Sequence, residues 1–257
     1  KSKKNAKQSY RTLNIGNGIR ISNKRIRLPK IGWVKVHQSM EIGAIHNATV
    51  VRTATGKYFV VLNVEYDPQP MPNNGCVVGI DVGLKEFYSD SKGAVVNNPK
   101  YLEKNAKKLA RKQKGSHNRE KQRIRVAATH EKIANQRNDF LQKQSTMLVR
   151  ENQTICIEDL NVKGMLHNHK LARAISSVSW SSFFSILEYK AYWYGCTVIR
   201  VPTFYPSSQT CSCCGYKNVA VKNLSIRQWE CPSCHTVHNR DKNAAINILR
   251  KGLEKSA

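Results

Sequence analysis

Four of the eight cysteines stand as two pairs, Cys211-x-x-Cys214 and Cys231-x-x-Cys234, with sixteen residues between them. Two intervening residues let both sulfurs of a pair reach one ion from a tight turn, and two such knuckles complete one tetrahedral Zn²⁺ site. This is the spacing of a zinc ribbon. Cys213 also lies in the first knuckle, but the two-residue interval and Gly215 just after Cys214 favour Cys211 and Cys214, with His235 and His238 as alternative donors. Four thiolates leave no open position for a substrate, so the role expected of such a zinc is to fold a segment too small to have its own core.

A second set is made of carboxylates. Asp81 and Glu158 each end an apolar run, Val77-Val-Gly-Ile-Asp and Thr154-Ile-Cys-Ile-Glu, and Asp241 opens a helical stretch after the cysteines. Taken singly, each reads as a turn residue or a helix cap. Together they gain meaning from context, because Asp and Glu number only 17 against 43 Lys and Arg. An acidic cluster inside a basic protein is what two-metal hydrolysis of a phosphodiester needs: the carboxylates would hold two Mg²⁺ about 4 Å apart, one activating water and one stabilising the leaving oxygen.

Elements must hold these groups in place. The runs ending at Asp81 and Glu158 read as buried strands, as does Thr197-Val-Ile-Arg-Val, while Phe87-Tyr-Ser and Ala94-Val-Val continue the first as a meander. From Tyr101 to about Arg150 the pattern is an amphipathic helix with a break at Gly115-Ser116, its apolar or small face running through Ile124, Ala127, Ala128, Ile133, Ala134, Phe140, Leu141 and Leu148. Basic residues outnumber acidic ones there too strongly for balanced i,i+4 pairing to be their purpose. Trp180 to Tyr194 reads as a core helix, and a last helix is expected from near Asp241 to Leu249.

The opening, Lys1 to about Pro72, starts with Lys1, Lys3, Lys4 and Lys7 and then shows short alternating runs at Gly18–Ile21, Ile26–Leu28, Trp33–Val36, Ala48–Val51 and Tyr58–Val64. Gly, Asn and Pro punctuate them, which predicts a small antiparallel, barrel-like β module with a hairpin turn at Thr55-Gly56. The Pro- and Asn-rich stretch Tyr66 to Gly75 is a linker and a domain boundary.

At 257 residues the chain can bury a core without disulfides, and its formal charge of +26 calls for a polyanionic partner. Nucleic acid fits better than lipid, since no apolar run approaches the ~20 residues that span a bilayer and no signal peptide opens the sequence. The paired cysteines indicate metal in a reducing compartment. Of the other four, Cys76, Cys156 and Cys196 lie in or beside apolar runs and read as small buried hydrophobes, and Cys213 stands apart from them in the first knuckle.

From about Lys3 to Leu253 the chain resembles the TnpB family of transposon-encoded RNA-guided nucleases, relatives of the type V CRISPR effectors. Six motifs carry the resemblance in order: Leu28-Pro-Lys-Ile-Gly-Trp-Val, Gly79-Ile-Asp-Val-Gly, His130-Glu-Lys-Ile-Ala-Asn-Gln-Arg, Ile157-Glu-Asp-Leu-Asn-Val, Tyr205-Pro-Ser-Ser-Gln-Thr-Cys-Ser-Cys-Cys-Gly and His238-Asn-Arg-Asp-Lys-Asn-Ala-Ala-Ile-Asn. The resemblance implies an α/β, RNase H-like (RuvC) mixed sheet with flanking helices, an inserted zinc ribbon and an N-terminal β-barrel-like wedge module. It implies domains at 1–72 (partial wedge), 73–204 (first part of the nuclease domain), 205–238 (zinc ribbon contacting target nucleic acid) and 239–257 (final nuclease helix). Asp81, Glu158 and Asp241 correspond to the family's three catalytic acids.

By the same resemblance the protein binds a guide RNA from the transposon end, pairs it with target DNA beside a short adjacent motif, cuts both strands at one site and works in the prokaryotic cytoplasm at the nucleoid. Lys104, Lys107, Lys108, Arg111, Lys112, Lys114, Arg119, Arg123 and Arg137 would then touch the backbone of the heteroduplex. Members of the family carry more wedge and a recognition domain, so part of the N-terminal region is expected to be lacking, and Asn239 stands where many have Asp. Two other readings compete: a non-cleaving nucleic-acid-binding module derived from such a nuclease, and a transposase that joins DNA ends.

Overall fold

The structure is a computed structural model and describes residues 8–37, 41–106, 108 and 119–256, the side chains of residues 119, 120 and 256 excepted. It divides into two compact units, one from residues 1–68 and 108–132, the other from residues 69–107 and 133–257.

The first unit is built on β1 (Ser9–Leu13), β2 (Arg20–Ser22), β3 (Arg25–Leu28), β4 (Gly32–Lys35), β5 (Ile45–Arg52) and β6 (Tyr58–Val64). They form two three-stranded antiparallel sheets, β1-β5-β6 and β2-β3-β4. Ile19, Ile26, Leu28 and Ala48 make their shared core. The hairpin turn between β5 and β6 falls where the sequence placed it, with Gly56 at φ 85° and Thr53 N–H donating to Lys57 O at 2.8 Å. Glu131 accepts from Thr55 Oγ1 at 2.5 Å and from Lys57 Nζ at 2.8 Å. The bond from Lys57, then that from Thr55, holds its carboxyl below the ordinary range. A depressed folded-state pKa gives stability that is present above the unfolded value and lost as pH falls through the folded one. Glu131→Gln is therefore expected to lower the melting temperature slightly at pH 7, and melting curves across a descending pH series should show the gap to wild type closing in the acid range.

The second unit is centred on one five-stranded sheet of β7 (Val77–Val82), β8 (Glu86–Asp90), β9 (Val95–Asn97), β10 (Thr154–Glu158) and β11 (Thr197–Val201), in the order β11-β10-β7-β8-β9. The first three in that order are parallel, and β8 and β9 are antiparallel, the expected meander. Its helices are α1 (Tyr101–Lys104), α2 (Arg119–Glu151, from residue 133 onward), α3 (Val162–Met165), α4 (His169–Val178), α5 (Trp180–Tyr194) and α6 (Arg240–Ser256); β12 (Gln228–Glu230) and β13 (Val237–Asn239) form a hairpin.

Side chains alternate across a strand, and here both faces are covered. Val78, Ile80, Ile155 and Ile157 point into the main core with Leu141, Leu148 and Val149 of α2 and Phe183, Phe184 and Leu187 of α5. The residues between them, Gly79 and Cys156, face α6, whose Ile248 is fully buried with Cys156 and Val201. This explains why the strands read as nearly continuous apolar runs.

Three details differ from the sequence reading. Helix α6 runs seven residues past Leu249, and α4, capped by Asn168 and buried through Ile175 and Val178, was not anticipated. Cys76 is exposed one residue before β7, whereas Cys156 is buried and Cys196 half-buried as expected. The stretch from Tyr66 to Gly75 is irregular throughout, as its Pro and Asn content required, while the Gly115-Ser116 break lies outside the described residues. Among the described residues no helix is long and apolar enough to cross a membrane.

Candidate active site and metal centre

Strands β7 and β10 run parallel with Ile80 opposite Ile157, so one position further on Asp81, next to last in β7, and Glu158, last in β10, stand side by side on the same face. That face is the one α6 covers. Along α6, Asp241, Ala245, Ile248 and Gly252 fall on one stripe at helical spacing. A Cβ on Gly79 would run into the Ala245 carbonyl oxygen and lie 2.7 Å from Leu249 N, and one on Gly252 would meet Cys156 Sγ. These contacts seat the helix directly on the sheet, with Asp241 in its first turn. Asn239 caps that turn, its Oδ1 accepting from Asp241 N at 3.1 Å and Lys242 N at 3.0 Å. An Asn at this position caps as well as an Asp does.

Asp81 feels the other two carboxylates. Burial first, then the charges of Glu158 and Asp241, raise Asp81 well above the ordinary carboxylate range, with Arg240 and Arg227 pulling the other way. Burial also raises Glu158, opposed by Ser207, whose hydroxyl donates to Glu158 Oε1 at 2.5 Å. Asp241 is held by Arg227, whose Nη1 lies 3.3 Å from each carboxylate oxygen. Asp81 and Glu158, both raised by burial, together with Asp241 on the helix above them, are a donor set suited to a hard divalent cation.

A polar staple fixes the loop that carries Ser207. Asn247 Nδ2 donates to Ser207 O at 2.8 Å and Thr210 O at 2.6 Å, Asn243 Nδ2 donates to Thr210 O at 2.7 Å, and Asn243 Oδ1 accepts from Ser212 N at 2.9 Å. Both asparagines are buried. Ser207, Arg227, Asn243 and Asn247 were missed as site residues, although the Asn-Ala-Ala-Ile-Asn repeat of polar groups at i,i+4 beside two alanines was a readable sign of a helix serving two neighbours.

The four paired cysteines converge. Their sulfurs all lie within 4.8 Å of one another, and among the described residues they are the one such group of His, Cys, Asp or Glu. Cys211 and Cys234 sulfurs are 3.6 Å apart, as are those of Cys214 and Cys231. A tetrahedron with Zn–S of ~2.3 Å has an edge of about 3.8 Å, so the quartet fits a zinc ion. The two knuckles are built alike: Gly215 N donates to Cys211 O at 2.9 Å and His235 N to Cys231 O at 2.9 Å, with Gly215 at φ 79° and His235 at φ 56°. His235 thus occupies the turn position that Gly215 fills in the first knuckle. It pairs with Glu230 at 2.9 Å and belongs to no ligand set, and Cys213 is exposed outside the quartet.

Burial pushes the Cys211 thiol up to about 12, while bonds from Thr236 bring Cys234 down to about 6. Loading such a set with metal releases protons and stabilises the fold. Cys231→Ser is expected to abolish stoichiometric zinc and lower the melting temperature by more than about 5 °C, measured by metal analysis and thermal melting; an unchanged melting temperature would exclude a structural role.

Of the basic residues expected to meet nucleic acid, Lys104 and Lys108 are exposed, as is Arg123 on α2. Arg137 is half-buried and donates to Ser177 O at 3.4 Å, so it is engaged within the fold. Lys107, Arg111, Lys112 and Lys114, and the side chain of Arg119, lie outside the described residues.

The family model described as "Probable transposase" matches residues 59–169, and that described as "Cas12f1-like, TNB domain" matches residues 180–248. A Streptomyces pristinaespiralis protein provisionally named an RNA-guided DNA endonuclease is 45% identical over 216 residues, 81% of this chain and 53% of its own. InsQ of Escherichia coli K12, with the same provisional name, is 33% identical over 254 residues, 90% of this chain and 62% of its own. The TnpB-like protein L79 of Acanthamoeba polyphaga mimivirus is 32% identical over 203 residues, 70% of this chain and 38% of its own.

The chain belongs to the TnpB family. It spans about half the length of the curated TnpB relatives it matches. A solved Cas12f1–sgRNA–target DNA complex matches this TnpB chain with a TM-score of 0.53 at 17% identity, covering 79% of it and 45% of the solved chain. A CRISPR-Cas12f ternary complex matches with 0.50 at 19%, covering 88% and 51%. At such identities the likeness is one of fold, and the mixed α/β architecture is the part shared.

Proposed function

We propose that this chain is the nuclease part of an RNA-guided DNA endonuclease encoded by a transposable element, hydrolysing phosphodiester bonds of target DNA, with guide RNA and target DNA as its partners. The observation that carries this reading is the placement of Asp81 and Glu158 at equivalent positions of the parallel strands β7 and β10, under the helix α6 that carries Asp241 in its first turn, near enough that the charges of Glu158 and Asp241 add to burial in raising Asp81. A divalent cation beside them would favour the charged form of all three, and a chain of +26 has no need of a carboxylate cluster merely to bind phosphate.

In this proposal the sheet of β7 to β11 is an RNase H-like (RuvC) core, the β1–β6 sheets are part of a barrel-like wedge within residues 1–72, residues 73–204 and 239–257 form the nuclease domain, and residues 205–238 are a zinc ribbon near the target strand. Asp81, Glu158 and Asp241 would hold Mg²⁺, and the four cysteines Zn²⁺. Bound Mg²⁺ supplies an activated water and neutralises charge on the leaving oxygen. The chain's own residues prepare that site. Ser207 fixes the rotamer of Glu158. Arg227 lends positive charge beside Asp241, where a phosphate must approach. The exposed Lys104, Lys108 and Arg123 add sequence-independent phosphate affinity that weakens with salt.

The test is cleavage of labelled single- and double-stranded DNA by the purified chain with its co-purifying RNA, with and without Mg²⁺. Metal-dependent cutting supports the proposal. Tight RNA binding with no cutting in any metal would assign the chain to the non-cleaving class.

A further inference from the structure

We infer that His238 is a positioning residue of the cysteine centre, its imidazole Nε2–H donating a hydrogen bond to Cys211 Sγ and so fixing the first knuckle to the strand that leads into α6. The inference rests on the zinc reading proposed above. The distance is 3.0 Å. Cys211 is 1% exposed and His238 7% exposed, so water cannot supply this donor. The four sulfurs already form a closed group without a nitrogen among them, which leaves the ring as partner to a ligand and not a ligand itself.

The ring is held for that task. In the β12–β13 hairpin His238 stands opposite Trp229, and the two rings pack with centroids 4.8 Å apart at 39°. Trp229 is itself buried with Cys211, Val221 and Cys231, so the stack fixes where Nε2 points. Cys211 Sγ receives a second bond from Cys213 N at 3.3 Å. A Zn²⁺ with four thiolates carries a net charge of −2, and each N–H aimed at a sulfur draws some of that charge off the metal centre. Such partners beyond the ligands commonly change metal affinity by about 10- to 100-fold. His238 is also followed directly by Asn239, the cap of α6, and by Asp241 in its first turn. The same bond therefore ties the metal-bearing knuckle to the entrance of the helix that carries a proposed catalytic acid.

The experiment compares wild type, His238→Phe and His238→Gln, each checked for folding by circular dichroism. Phe keeps a ring against Trp229 and removes the donor; Gln restores an N–H at similar reach. Zinc content is measured first, then zinc affinity by chelator competition, then the thiolate-to-metal absorption of the Co²⁺-substituted chain. Wild type should hold one zinc. His238→Phe should bind it at least about 10-fold more weakly with a shifted charge-transfer band, and His238→Gln should lie within about threefold of wild type. Equal affinity in His238→Phe would overturn the inference while leaving the zinc reading intact. Equal loss in Phe and Gln would assign the effect to packing, and Co²⁺ bands of three thiolates and one nitrogen would make His238 a ligand; either result overturns it. A wild type free of zinc would remove both readings together.

Discussion

Asp81→Ala should lose metal-dependent DNA cleavage by on the order of a thousandfold or more, the scale seen when a group that organises charge at a reacting centre is removed, while RNA binding stays within about twofold. The two halves have separate causes. Asp81 feels the charges of both Glu158 and Asp241, so its loss removes the acid of the proposed donor set that both of the others reach. On the proposed function RNA affinity would come from the 43 Lys and Arg spread along the chain, and one acid fewer hardly alters that field. Gel-shift titration and single-turnover cleavage on the same preparation read both halves, and parallel loss of RNA binding would mean that the substitution acts through folding.

A third readout gives the opposite sign. A carboxyl whose folded-state pKa is raised contributes stability while protonated, below its unfolded value, and that contribution is lost as pH rises through the folded value. In chelator, wild type should therefore soften as pH climbs out of the ordinary carboxylate range. Asp81→Asn should soften less and melt higher near neutrality. A variant that is more stable and inactive would identify the acid cluster as a place where the fold gives up stability to hold charge.

How much of this could be read beforehand depended on whether a signal was local. The cysteine quartet was legible because a two-residue interval encodes knuckle geometry on its own. Asp81 and Glu158 were legible because each ends an apolar run, and parallel strand pairing in register does the rest. Helix α6 was placed but cut short at Leu249: its C-terminal turns pack through Gly252 against Cys156, a contact between distant segments that periodicity does not record. Ser207, Arg227, Asn243 and Asn247 escaped for the same reason. Their roles consist of bonds spanning 14 to 49 residues of sequence. His238 was weighed only as a ligand, because the pattern gave a nitrogen near the sulfurs and only the hairpin register shows which way it faces.

Gly79 leads to the second large effect. On β7 it is two residues before Asp81, on the same face, and α6 passes so close that an added Cβ would strike the Ala245 carbonyl oxygen and sit 2.8 Å from Leu249 Cβ. The obstructing atoms are helix backbone, which cannot turn aside as a side chain can, so Gly79→Ala must push the helix off the sheet. Overpacking of this kind costs about 1–3 kcal/mol, and the melting temperature should fall by several degrees. The larger effect falls on the chemistry. Asp241 rides at the N-terminal end of the displaced helix, and a misplacement near 1 Å in a reacting constellation can cost about 10²-fold in rate. Gly79→Ala should thus cut at about a hundredth of the wild-type rate with RNA affinity retained and one zinc still bound, because all four ligand sulfurs come from the ribbon itself. Retention of activity within about threefold would show that the seating of α6 on Gly79 does not set the position of Asp241. Loss of zinc alongside activity would show instead that the ribbon and the carboxylate site move as one body, joined through the strand that His238 occupies.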